Sequence, residues 1–272
     1  MGGKWMIRTY KAGRVIEKSK FWVPANTKAR AGRVKGNTKA RAGRVKGNTS
    51  SAKRDQNARR AVHVLARILN CNFSKGDLYV TCKFTDEYLA QIGGDYAELS
   101  RLLGNFLRRL RRKLRKLGLE LKWVAVPSEK DGETGARKRL HVHMVLTGAG
   151  IQWRDGAWYV GEECLENIWG MGSIYAEPLR GQHDYTPVAL YMLRQARRDV
   201  PDAKAYTTSR NMIQPEITER IVHTSNAMRQ PARAYLLESS QYDAATGCHY
   251  IRYLAPEKGG DREKLQGKDG TV

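Results

Sequence analysis

Cysteine is scarce: the four present (Cys71, Cys82, Cys164 and Cys248) lie far apart and form no Cys-x-x-Cys pair, so neither a zinc knuckle nor a disulfide framework is indicated. Acidic residues are also few, 27 Asp+Glu against 49 Lys+Arg, which leaves a formal charge of +22 on 272 residues and calls for a polyanionic partner. Long apolar runs are missing. The longest uncharged stretch, Leu140 to Trp153, falls short of the ~18 apolar residues a membrane span needs, and no apolar signal segment opens the chain. The expectation is a cytoplasmic protein with no membrane partner. A Gly-x-x-x-x-Gly-Lys-Ser/Thr pattern is absent, which excludes a P-loop ATPase or helicase.

A hydrophobic content of 41% suffices to bury a core, so a wholly disordered chain is excluded. One segment departs from the rest. Asn26 to Gly36 reads NTKARAGRVKG, Asn37 to Gly47 repeats it letter for letter, and Lys11 to Val15 already echoes it as KAGRV. Basic and nearly devoid of apolar side chains, the repeat cannot bury enough surface to offset the entropy of ordering. Residues 1–52 are therefore expected to form a basic, flexible arm, either a DNA-binding arm or a duplicated linker. Residues 53–255 are expected to form one folded domain, with a disordered polar tail over 256–272.

Within that domain the apolar spacing predicts an amphipathic helix over 56–69, a strand over 77–84 (DLYVTCKF) and a helix over 95–117. The second helix places Leu103, Phe106, Leu107, Leu110, Leu114 and Leu117 on one stripe. Arg108, Arg109, Arg111, Arg112, Lys113, Arg115 and Lys116 occupy the remainder. Such a block of unneutralised cations repels itself unless phosphates face it, so these seven are candidate DNA contacts; a solvated helix face is the alternative. Strands follow over 119–126 and 139–146, then a hairpin around Asp155-Gly156 and a short helix over 162–169. A helix opens at Thr186-Pro187 and runs to about Arg198, and a terminal hairpin spans 235–254. Strands, helices and then hairpins predict an α+β fold, with a central antiparallel sheet of about five strands flanked by helices.

In the strand over 139–146, His141, His143 and Val145 share one face, and Leu140, Val142, Met144 and Leu146 share the other. Two imidazoles projecting together suit a divalent-metal site; two hydrogen-bonded histidines on a half-exposed strand is the competing reading. Glu129 precedes the turn leading into this strand and would complete a His-His-Glu set suited to Mn²⁺ or Mg²⁺, with Glu133 in the turn as a weaker alternative. On the later helix Tyr191, Arg194 and Arg198 recur on one face. A phenol flanked by guanidiniums can attack phosphorus, and it can equally be a packed amphipathic side chain.

Together these segments resemble the HUH-superfamily endonucleases, specifically the replication initiators of rolling-circle plasmids, phages and integrated mobile elements. DLYVTCKF is similar to the first strand motif, with Cys82 and Lys83 as departures. RLHVHMVL (Arg139 to Leu146) resembles the His-hydrophobic-His metal motif. LYMLRQ (Leu190 to Gln195) resembles the Tyr-x-x-Lys nucleophile motif, with Arg194 in place of lysine. The resemblance covers about Lys53 to Pro215 and implies an HUH/RRM-like nuclease fold for the domain.

It also implies a mechanism: a divalent metal, Mn²⁺ or Mg²⁺, on His141, His143 and Glu129, and Tyr191 as the single nucleophile forming a 5′-phosphotyrosine. Arg194 would stabilise charge on the phosphate or orient the phenol. The basic helix and Arg198 would hold single-stranded or hairpin origin DNA, and a prokaryotic host's helicase and polymerase would act as partners. Tyr185, six residues before Tyr191, does not share its helix face. A relaxase or transposase would use the same chemistry, and a non-catalytic basic DNA-binding protein is the reading from another class.

Overall fold

In the computed structural model, residues 3–24, 51–196, 204–244 and 246–256 are described. Along the chain come β1 (Gly3–Ala12), β2 (Val15–Pro24), α1 (Ser51–Asn72), β3 (Leu78–Lys83), α2 (Asp86–Ile92) and α3 (Tyr96–Lys116). Then follow β4 (Trp123–Lys130), β5 (Arg137–Leu146), β6 (Ile151–Arg154), β7 (Ala157–Val160), β8 (Glu163–Cys164) and α4 (Leu165–Trp169). The last elements are β9 (Ile174–Pro178), α5 (Thr186–Arg194), β10 (Thr207–Thr208), β11 (Glu216–Val222), β12 (Tyr235–Ser239) and β13 (His249–Leu254).

The chain divides into two compact units. The larger, within residues 30–216 and with the turn 11–13, is organised by the antiparallel sheet β10-β4-β5-β3-β9. The α+β class with a five-stranded central sheet is as expected and is consistent with an HUH/RRM-like fold. Each face of this sheet carries its own core, because a strand side chain alternates with period two. Leu78, Val80, Cys82, Leu140, Val142, Met144 and Leu146 pack against α2, α3 and α4. Val124, Val126 and Val145 pack against α1 and α5.

Helix α3 shows why its sequence folds as it does. The Asp95 carboxylate accepts the Ala97 amide at 2.8 Å and caps the first turn. Leu99, Leu102, Leu103, Phe106, Leu107, Leu110 and Leu114 follow at three- and four-residue intervals and are all buried. Burying each leucine contributes about 1.5–3 kcal/mol, so this stripe, rather than helix propensity, fixes the charged face outward.

The smaller unit holds the described residues within 1–10, 14–29 and 217–272, and its sheet runs β11-β1-β2-β13-β12. This corrects two expectations. Gly3–Pro24 is not an arm: it forms two strands that are neighbours in the sheet, and the KAGRV echo at Lys11–Val15 holds the turn between them, with Gly13 at φ +58. Nor is 53–255 one domain, because β13 pairs with β2, His249 opposite Lys20 through Leu254 opposite Val15. Position along the chain misled here, since a strand near the start can complete a sheet with strands near the end. The tandem repeat, Arg198 and the tail from 257 onward lie outside the described residues.

Candidate active site

The β4–β5 hairpin builds the site's floor. Strand β4 runs later than the composition implied, over Trp123–Lys130, so the turn shrinks to residues 131–136, closed by the Asp131 amide donating to the Ala136 carbonyl at 2.8 Å. The Asp131 carboxylate accepts the Glu133 and Thr134 amides and pairs with Lys138, which holds it well below the usual carboxylate range. In this register His141 lies opposite Ser128 on β4 and Lys83 on β3, while His143 lies opposite Val126 and Thr81. Both imidazoles therefore project on the α1/α5 side, as the alternation predicted.

The two rings meet there. Nε2 of His141 stands 3.1 Å from Nε2 of His143, with ring centroids 4.6 Å apart and planes at 88°. Nδ1 of His141 is 2.9 Å from the Arg139 carbonyl, which can only accept. That bond places the proton on Nδ1 and leaves Nε2 as a lone pair in the neutral ring. Nδ1 of His143 is 3.2 Å from the Thr81 hydroxyl. His143 is buried, and burial first, then the neighbouring His141, pushes it down to about 4. It is neutral at pH 7.

Helix α5 closes the site from above. The Asp184 carboxylate accepts the Thr186 amide and hydroxyl, Pro187 occupies the first turn, and Ala189, Met192 and Leu193 bury the inner stripe. After the helix the chain locks onto the edge of β4: the Glu129 amide donates to the Gln195 carbonyl at 3.2 Å, and Ala196 bridges to Ser128. Gln195, 5% exposed, is thereby aimed inward, with Oε1 3.3 Å from His143 Nε2. Its amide nitrogen donates back to the Tyr191 carbonyl at 3.4 Å. One turn earlier the Tyr191 ring lies 5.7 Å from the His143 ring and is 54% exposed. The Tyr79 ring, 6.2 Å from that of Tyr191, backs it, and burial raises the Tyr79 phenol so that it stays protonated.

The structure thus brings His141, His143 and Tyr191 together. Glu129 supplies its backbone to Gln195, and among the described residues no three His, Cys, Asp or Glu side chains gather as a metal-binding set. Ser128, not Glu129, is the residue directly across from His141, because the strand continues past Val126. Glu133 is exposed in the turn, and Arg194 is exposed in the last turn of α5.

The basic helix lies apart from the histidines. Helix α3 packs on the face bearing Val142 and Met144, the side of the sheet opposite the histidines. Arg109 is also not a free contact: its guanidinium donates to the Ile168 and Trp169 carbonyls at 2.9 and 2.8 Å, satisfying the end of α4. Lys113 pairs with Glu163. Arg108, Arg111, Arg112, Arg115 and Lys116 remain exposed. Helical periodicity identified the charged face but held no information about which side of the sheet it would cover.

Gln195 was missed as a functional residue. Its only sequence signal was its interval of four from Tyr191, which stacks the two on one helix face. Tyr185 is buried, its hydroxyl donating to the Arg180 carbonyl at 3.4 Å, and does not share the site with Tyr191.

Residues 78–196 match the family model described as replication-associated protein ORF2/G2P. The match starts at the first residue of β3, ends at the bridge after α5, and so covers all three motifs except Asp77 at the start of the first. Over this segment, a little under half of the chain, the protein is similar to the replication-associated protein ORF2/G2P family. The likeness to rolling-circle initiators drawn from the motifs is thereby borne out, while α1 and the smaller unit lie outside the family match. No curated protein and no solved structure gives a significant match to the chain.

Proposed function

We propose that the chain initiates DNA replication by nicking single-stranded origin DNA, with Tyr191 as the nucleophile. The observation that supports this most is the meeting of an exposed phenol with two histidine Nε2 atoms on one face of the sheet. The phenolic oxygen attacks a backbone phosphorus in line, forming the Oη–P bond as the P–O3′ bond breaks. The phenolic proton is lost and the departing 3′ oxygen gains one, which leaves a 5′-phosphotyrosine and a free 3′-OH. Because one phosphodiester replaces another, the reverse attack by a 3′-OH rejoins the strand without ATP.

The donor set fits a divalent cation. His141 Nε2 carries a lone pair, His143 is neutral, and Gln195 Oε1 is a carbonyl-type oxygen beside them. We assign His141, His143 and Gln195 as the residues that would hold Mn²⁺ or Mg²⁺. A bound ion of this kind supplies Lewis-acid polarisation of a phosphoryl oxygen. The protein's own contribution is positional: β4 fixes Gln195 through the Glu129 amide, and α5 holds Tyr191 one turn away, over the imidazoles.

The test is covalent capture. With single-stranded origin oligonucleotides and Mn²⁺, a denaturant-resistant adduct is expected from the native chain and none from Tyr191→Phe or His143→Ala. An undiminished adduct in Tyr191→Phe would remove Tyr191 from the role.

A further inference from the structure

The residues described around Tyr191 all belong to the larger unit, and in the smaller unit one face of the sheet carries a built cationic pocket. Lys18 and Lys20 are two apart on β2 and so project to the same side. Their partners on β13, Ile251 and His249, share that side. The chain after β11 folds onto it: Lys20 Nζ donates to the Asn226 carbonyl at 2.8 Å, and the Met228 amide donates to His249 Nδ1 at 3.0 Å. Between sheet and loop lies a cavity of about 170 Å³ lined by Lys18, Lys20, Arg220 and Arg229 with Ile7 and Val222. That is room for about five waters.

No carboxylate lines this cavity among the described residues. Glu219, next to Arg220, alternates to the other face and pairs with Arg8 at 2.6 Å; Glu238 pairs with Arg252 at 3.2 Å. Lys20 is only 3% exposed, and burial lowers its basicity. Its ammonium has three donors, of which one meets the Asn226 carbonyl, while the Trp5 ring centroid lies 5.2 Å away. Lys18 stands 5.4 Å over the Tyr253 ring. Rings and a carbonyl orient these cations without neutralising them. Four cations about one small cavity raise one another's energy unless an anion enters.

We propose that this pocket binds a backbone phosphate of single-stranded DNA, giving the chain a second nucleic-acid contact separate from the Tyr191 site. Lys20 is the fixed charge at the base, and the exposed Arg220 and Arg229 supply forked donors that match phosphate oxygens. On the same unit Trp22 is 44% exposed and packs edge-on against Trp5 at 4.7 Å, so its free surface offers a platform for an unpaired base. Single-stranded DNA is the occupant this pairing of phosphate pocket and aromatic favours.

The experiment follows fluorescence anisotropy of a labelled oligothymidylate with the full chain across a series of salt concentrations. The Arg220→Ala/Arg229→Ala double variant is expected to bind several-fold more weakly at low salt. Its slope of log K against log[salt] should shrink by about 0.7 for each phosphate that is no longer neutralised. Arg229→Lys alone keeps the slope, and Trp22→Ala weakens binding by at least about fivefold with the slope unchanged. Both arginines are exposed, so the double variant retains the native melting transition. Tyr191 adduct formation on saturating oligonucleotide continues in it, which separates failure here from failure of the nicking reading. An unchanged slope in the double variant overturns the proposal, as does an equal fall in Lys4→Ala/Arg233→Ala, which would assign binding to diffuse charge. Unaltered affinity in Trp22→Ala overturns the stacking platform.

Discussion

Replacing Gln195 by alanine separates the ligand set read from the three-dimensional site from the one implied by the motif. The side chain is buried, with Oε1 3.3 Å from His143 Nε2 and its amide nitrogen on the Tyr191 carbonyl. Truncation loses at least one hydrogen bond, about 1 kcal/mol net, and opens a small cavity, so the metal-free protein should lose about 1–2 kcal/mol in urea unfolding. The larger effect falls on the ion. Even residues that only support ligands change metal affinity by about 10- to 100-fold, so loss of one of three donors should weaken Mn²⁺ binding by at least about tenfold. Calorimetric titration with Mn²⁺ and the Mn²⁺ dependence of adduct formation measure this directly. Adduct formation in Gln195→Ala should recover at high Mn²⁺. Glu129→Ala, which keeps the backbone amide that holds Gln195, should titrate as the native chain does. The reverse pattern, with Glu129→Ala losing the ion and Gln195→Ala keeping it, refutes the reasoning.

Acid should destabilise the larger unit through His143. Its folded value near 4 lies below the ~6.5 of an unfolded histidine, so the unfolded chain binds more protons between these values and stability rises with pH across that window. Taking pH 7 to pH 4 should cost about 3 kcal/mol in urea unfolding, and His143→Gln should flatten that slope. Arg109→Ala should lose about 1.5–3 kcal/mol, because the Ile168 and Trp169 carbonyls lose a charged donor, while exposed Arg112→Ala stays within about 0.5 kcal/mol. Replacing Arg111, Arg112 and Arg115 together should leave adduct formation on a short oligonucleotide unchanged, since α3 covers the far face; a loss there would place the substrate on α3. Gly172→Ala should destabilise by about 2 kcal/mol or more in thermal melts. Gly172 sits at φ +142, and an added Cβ would lie 2.4 Å from the Lys83 carbonyl oxygen.

The period-two alternation in RLHVHMVL determined which face of the strand the histidines occupy, and the Thr-Pro opening determined where α5 begins. Both are local properties of the backbone, so a short window holds all the information they need. The apolar stripe of α3 was legible for the same reason. Pairing is different. That β13 joins β2, making Gly3–Pro24 half of a hairpin in a second sheet rather than an arm, depends on contacts between opposite ends of the chain. That α3 lies across the sheet from Tyr191 depends on which of two apolar faces its leucines cover. Gln195 reaches His143 because β4 extends to Lys130 and its edge holds the chain after α5. Local periodicity fixes a side chain's direction relative to its own element, and only the packing of elements fixes what it meets.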